Sequence, residues 1–148
     1  MKISAKGRYA LASAILMAKE YEKGGHITVV SISDQLGISK IYLEQVFSLL
    51  KRGGLVTSVK GAQGGYLLTR MPREITAYDI LSAVEISLFE SAENTVTEKA
   101  PHIDSAMKAL AFRALDDAAR EALQKTTLED LVLESEKFKG EDGFMFFI

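Results

Sequence analysis

A chain of 148 residues, 47% apolar and 26% charged with no cysteine, is long enough for one globular domain or a small domain with an oligomerisation arm, and excludes disulfides and thiolate metal sites. Its formal net charge of −2 conceals an uneven distribution: residues 1–73 hold eleven Lys or Arg against four Asp or Glu, a net of +7, whereas residues 74–148 hold seven against sixteen, a net of −9. A basic half beside an acidic half points to one part that faces a polyanion and another with a different task.

The first helix is expected over about Ser4–Tyr21, with Lys6 and Arg8 near its start and Leu11, Ala14, Ile15 and Ala18 as its inward stripe. The longest apolar run, YALASAILMA, is too short to span a bilayer. Met1–Lys2–Ile3 leads straight into helical pattern, so no signal peptide is expected and the chain reads as cytoplasmic. Lys23–Gly24–Gly25 closes the helix, and Ile27 is placed to add one strand to a later hairpin.

A short second helix is expected at Val29–Leu36, with Val29, Ile32 and Leu36 apolar, and a third at Ser39–Arg52 across a Gly37–Ile38 turn. In the third helix Leu43, Val46, Phe47 and Leu50 fall at i, i+3, i+4 and i+7, one buried stripe. Ser39 suits the N-cap, and Gly53–Gly54 the stop. The opposite face carries Ile41, Gln45, Ser48 and Arg52, with Tyr42 and Glu44 on its flanks. Strands are expected at Leu55–Lys60 and Tyr66–Thr69, joined by the glycine-rich Gly61–Gly65. Helix, tight turn, helix and basic hairpin in this order describe a winged helix-turn-helix, so the fold class expected is mainly α with a small β-hairpin wing.

On that reading Gln45 and Ser48 are side chains that read base edges, and Arg52 suits a phosphate or guanine. Ile41 either meets a thymine methyl or is one of the single exposed isoleucines common on protein surfaces. Tyr42 either donates to a phosphate or covers the helix edge, and Glu44 suits cytosine N4. Lys60 and Gln63 sit at the hairpin tip, where a wing touches the backbone or minor groove. The loop lacks the G-x-x-x-x-G-K-[ST] pattern and precedes a strand, so it is no phosphate loop. His26 and His102 form no catalytic or metal-ligating pattern, and no enzyme, cofactor or metal is expected.

A fourth helix follows Pro72 near Thr76–Ile86, with Thr76 as cap and Ile80, Leu81 and Val84 inward. The segment from Ser87 to Pro101 is polar and aperiodic, a loop and boundary. Residues 1–86 are thus expected to be the DNA-binding unit, 87–101 a loop, and 102–148 a dimerisation helix with a C-terminal tail. The long helix, about Ile103–Lys125, carries a stripe of Met107, Leu110, Ala111, Ala114, Leu115 and Ala118. That stripe either pairs with a second copy or packs back on the first domain, and pairing is the simpler way to bury it. Thr126-x-x-Glu129 reads as a capping box opening a last short helix with Leu128, Leu131 and Val132 inward. The end, Gly143–Ile148 on the glycine-flexed lead Lys139–Asp142, is apolar and aromatic. Its Phe146, Phe147 and Ile148 either pack as a strand or plug on their own dimer or dock on a partner.

At these residues the chain resembles a bacterial repressor family. K-G-R-Y at 6–9, I-S-x-x-Y-L-E-Q at 38–45, G-L-V at 54–56, V-K-G-x-x-G-G-Y at 59–66, T-A-Y-D-I at 76–80 and T-T-L-E-D-L at 126–131 look like the winged-helix family of the iron–sulfur cluster regulator and the cysteine metabolism repressor. The resemblance covers nearly the whole chain and implies a homodimer whose long helices cross at the interface, bound to a palindromic operator in double-stranded DNA. It carries DNA contact to Ser39, Tyr42, Glu44, Gln45 and Lys60, while Ile41 departs from the small polar residue of the cluster regulator. The cluster-binding branch uses three cysteines in the segment matching Ser87–Pro101, and this chain has none. The likeness is closer to the cysteine metabolism repressor, which implies repression of cysteine or sulfur genes and a cysteine synthase partner met by the C-terminal tail. A contrasting reading makes the chain a protein-interaction module whose main act is to bind and report on such an enzyme.

Overall fold

A computed structural model describes residues 3–24, 26–61, 64–85, 87–88 and 96–146, with side chains in the last helix to Glu141. Helix α1 spans Ala5–Tyr21, α2 Val29–Leu36 and α3 Lys40–Arg52, and strands β1, Val56–Ser58, and β2, Tyr66–Leu68, form an antiparallel hairpin. A 3-10 turn at Pro72–Glu74 leads into α4, Ala77–Val84. Farther along the chain come α5, Pro101–Met107, a π turn at Lys108–Phe112, α6, Arg113–Gln124, and α7, Leu128–Phe146. The architecture is mainly helical with a two-stranded wing.

Local chemistry sets the ends of the helices. Ser4 caps α1 by accepting from the Gly7 N–H at 3.2 Å, Thr28 caps α2 from Ser31 at 3.0 Å, and Ser39 caps α3 from Tyr42 at 3.2 Å. Gly37 closes α2 at φ +67°, and the Ser33 hydroxyl donates to the Ile38 carbonyl at 2.6 Å across the turn. Thr76 and Asp79 form a reciprocal capping box on α4, at 2.9 and 3.1 Å. The hairpin register pairs Val56 with Leu68 and Ser58 with Tyr66, and Ile27 joins as a single bridge to Tyr66. Both strands are shorter than the sequence pattern suggests, although backbone bonds from Val59 N–H to Gly65 O at 2.9 Å and from Thr69 N–H to Leu55 O at 3.1 Å continue the pairing beyond each end.

The core lies where α1, α3 and α4 meet the wing. Leu43, Val46, Phe47 and Leu50 are all fully enclosed, and Phe47 stacks on Tyr66 with ring centroids 4.6 Å apart. Four sequence expectations need correction. The buried stripe of α1 is Ala10, Ala14, Met17 and Ala18, with Leu11 and Ile15 only half-buried; the small residues let α1 approach α3 and α4 closely. Helix α4 ends at Val84, because the Glu85 carboxylate turns back to accept from the Ser4 N–H at 2.8 Å and from its hydroxyl; Ile86 lies outside the described residues. The final capping box is Thr127 with Asp130, both bonds at 3.0 Å, one residue later than Thr126–Glu129.

The fourth correction concerns the C-terminus. Helix α7 runs for 19 residues, and Lys139–Phe146 is helical backbone, not a flexed lead to a strand. Phe147 and Ile148 lie outside the described residues, as do the side chains of 142–146. Leu128 is fully buried in the same core as the winged module, and its N–H donates to Ile75 O at 2.9 Å. The start of α7 therefore closes the base of the N-terminal unit.

Helix α5, the π turn and α6 form one continuous rod, since Met107 and Arg113 on either side keep right-handed helical angles. Near its start Asp104 is buried, accepting from the Thr97 hydroxyl at 3.0 Å and pairing with Lys108 at 2.9 Å. The hydrogen bond from the Lys108 ammonium, joined by that from Thr97, holds the Asp104 carboxyl below the usual carboxylate range despite its burial. Farther along, Arg120 donates to the Tyr78 hydroxyl at 2.9 Å with its guanidinium 5.5 Å from the ring centroid, fixing α6 to α4.

Candidate nucleic-acid interface

The candidate surface is the outward side of α3, made possible by what its inner side does. Four consecutive inward positions are buried, so the helix is fixed in rotation and Ile41, Glu44, Gln45, Ser48 and Arg52 are left exposed together. Ile41, Glu44, Gln45, Ser48 and the half-buried Leu49 line one shallow hollow along this face. Ser39 is exposed, with its hydroxyl engaged in the cap. Tyr42 is half-buried, its ring edge-on to Tyr9 at 5.4 Å and 84°, which braces the first turn of α3 against α1. The Tyr42 ring thus covers the helix edge, a contact of the ring that leaves the role of its hydroxyl separate. Lys60 is exposed at the start of the hairpin connection, and Gln63 lies outside the described residues.

Two basic residues of this face were missed by the sequence pattern. Lys51 donates to the Ser58 hydroxyl at 2.9 Å and links the last turn of α3 to β1. Lys40 opens α3, where a cation opposes the helix dipole. The first three helices share this pattern: α1, α2 and α3 have no acidic residue in their first turns, while α4, α5, α6 and α7 each have one or more. Lys6 and Arg8 stand in the first turn of α1. The start of α1 is met from within by the Glu85 carboxylate, whereas the starts of α2 and α3, with no acidic residue in the first turn, suit an external anion such as a phosphate. The signal was present in the sequence, but only helix boundaries reveal it.

Glycines bring the wing and the first helix into place. A Cβ on Gly7 would collide with the Glu85 carboxylate, and one on Gly65, at φ +141°, would stand 2.7 Å from the His26 ring and 3.0 Å from Ile27 O. These explain the glycines of K-G-R-Y and G-G-Y: one admits the Ser4–Glu85 clasp, the other lets Ile27 bridge to β2. Among the described residues no group of three or more His, Asp or Glu side chains stands close enough to hold a metal ion. No helix among them is long and apolar enough to cross a membrane.

The stripe expected at a subunit interface is open. Leu110 is 81% exposed, Ala111, Ala114, Leu115 and Ala118 are exposed, and only Met107 is half-buried. The rod turns a different side, with Asp116, Ala119, Arg120 and Leu123 half-buried, toward its own chain.

Comparison with known proteins gives a consistent result. The Rrf2 family model, described as "Iron-dependent Transcriptional regulator", matches residues 3–134. The HTH-type transcriptional regulator CymR of Bacillus subtilis is 40% identical over 151 aligned residues, covering all of both chains. The HTH-type transcriptional regulator IscR of Pectobacterium atrosepticum is 36% identical over 89% of this chain and 79% of its own. A solved structure described as that of CymR, "the Global Cysteine Regulator of B. subtilis", superposes with a TM-score of 0.71 at 39% identity, over 90% of this chain and 98% of that one.

Proposed function

This chain belongs to the Rrf2 family of transcriptional regulators, and from that premise we propose that it acts as a homodimeric repressor of cysteine or sulfur metabolism genes, without an iron–sulfur cluster. DNA-binding transcriptional regulation is what its relatives are named for, and they are not enzymes. The observation that carries the reading is α3: four buried apolar residues hold it in place while Gln45, Ser48 and Arg52 stand exposed on the opposite side. Ser39, Ile41, Tyr42, Glu44, Gln45, Ser48 and Arg52 serve the major groove and its flanking phosphates, and Lys60 and Gln63 the wing contact.

Residues 1–86 supply the DNA-contacting surface, their core completed by Leu128 at the start of α7, and the rod that begins at Pro101 supplies the dimerisation surface. Two copies pair through Met107, Leu110, Ala111, Ala114 and Ala118, because an exposed stripe of this extent on one helix is a cost that a symmetry mate removes. A two-fold dimer presents two copies of α3 and so reads a palindrome. The cysteine assignment rests on the description of the B. subtilis neighbour, and the clusterless one on the absence of cysteine. The test is fluorescence anisotropy with DNA selected from a random pool by the full-length protein, at several salt concentrations. Selective binding with a steep salt slope is expected, and equal affinity for all sequences would overturn the reading. The comparisons favour the repressor over an interaction module as the main function. Docking of the Phe146–Phe147–Ile148 tail on cysteine synthase is a subordinate proposal, tested by calorimetry with the intact chain and a version lacking Ile148. Binding lost with Ile148 is expected; equal binding by both, or none by either, would sink it.

A further inference from the structure

Among the described residues Ile41 is the most exposed large apolar side chain of the winged module, at 73%, in the first turn of a helix whose other apolar residues are buried or half-buried. It shares its hollow with Glu44, Gln45 and Ser48. On the major-groove edges of the four base pairs the only apolar group is the thymine 5-methyl. An isoleucine in a helix is held in essentially one χ1 rotamer, so fixing it against a base costs little entropy.

We propose that Ile41 is a specificity-determining residue that reads a thymine methyl in each half-site; this rests on the DNA-binding reading of α3 given above. The helix also fixes where that thymine stands. Ile41 and Gln45 are four residues apart on one face, about 6 Å along the helix axis, a spacing at which residues of a helix lying in the major groove meet neighbouring bases. Gln45 suits an adenine, through its N6 and N7. The thymine met by Ile41 therefore neighbours the base read by Gln45, toward the end of the site met by the first turn of α3. Burying one methyl against an apolar side chain corresponds to about a fourfold gain in affinity.

The test uses the full-length protein and the DNA it selects from a random pool. Each thymine in one half-site is replaced in turn by deoxyuridine, which keeps every hydrogen-bonding group and removes only the methyl. The parent is expected to lose about fourfold in affinity at one position, beside the position whose base preference Gln45→Ala relaxes. Ile41→Ser, an exposed change that leaves the core intact, should bind the thymine and deoxyuridine sites alike. A parent indifferent to every replacement, or an Ile41→Ser protein with the parent's sensitivity, overturns the inference while leaving sequence-selective binding intact. Failure to select any sequence overturns the DNA-binding reading itself, and this inference with it.

Discussion

Single side chains on the outward face of α3 divide into those that read sequence and those that hold the polyanion. Gln45 is exposed at the middle of the face, so Gln45→Ala should weaken the cognate site by about 1–3 kcal/mol and relax base choice there. Lys60→Ala should lower affinity for cognate and unrelated DNA alike and flatten the salt slope by about one unit. Anisotropy titrations at matched salt distinguish the two; parent-like binding by both variants would mean the recognition surface lies elsewhere. Gly7 acts by what it lacks. A methyl there meets the Glu85 carboxylate that clasps Ser4, so Gly7→Ala should destabilise the fold by about 1–3 kcal/mol, read as a lowered thermal midpoint.

Helix ends make the element scale testable. Thr127 and Asp130 exchange both capping bonds, whereas the Thr126 hydroxyl donates to the Ala122 carbonyl at 3.2 Å at the end of α6. Thr127→Ala should cost about 1 kcal/mol, and Thr126→Ala about 0.5 kcal/mol or less; equal losses in denaturant melts would contradict the assignment. The Asp104–Lys108–Thr97 contacts make the rod sensitive to acid. Because folding lowers the Asp104 pKa, its contribution is complete above the unfolded value of about 3.9 and is lost as pH falls through the lower folded value. Asp104→Asn should therefore be less stable than the parent at neutral pH, with the gap narrowing as pH falls below about 4. A gap that stayed constant across that range would assign Asp104 no such role.

At the scale of the whole molecule, the exposed side of the rod is the feature to test. Leu110→Glu would place two like charges near the proposed two-fold axis without partners, an arrangement of high desolvation cost. Since Leu110 is 81% exposed in the single chain, the substitution leaves the protomer core untouched, and circular dichroism should show a folded protein. Sedimentation should find a monomer, with tight binding to a palindromic site lost. A folded, dimeric Leu110→Glu protein would place the interface on another surface.

The winged helix-turn-helix was legible in the chain because local rules and the tertiary fold agree there. The period of Leu43, Val46, Phe47 and Leu50 fixes the inner face of α3, and Ser39, Thr76 and the glycine stops fix helix ends from within a turn of sequence. Where several registers satisfied the local pattern, only packing decided. In α1 many small and apolar residues allow more than one stripe, and close approach to α3 and α4 selected Ala10, Ala14 and Met17 over Leu11 and Ile15. Thr126 and Thr127 both suit a capping box, and the bridge of Thr127 to Thr76, with Leu128 seated in the core, chose the second. The reason for a glycine at position 7 lies in Glu85, remote in sequence, whose carboxylate stands where a Cβ would be. Short-range periodicity and capping are written in neighbouring residues; the choice among equivalent registers belongs to contacts between residues far apart along the chain.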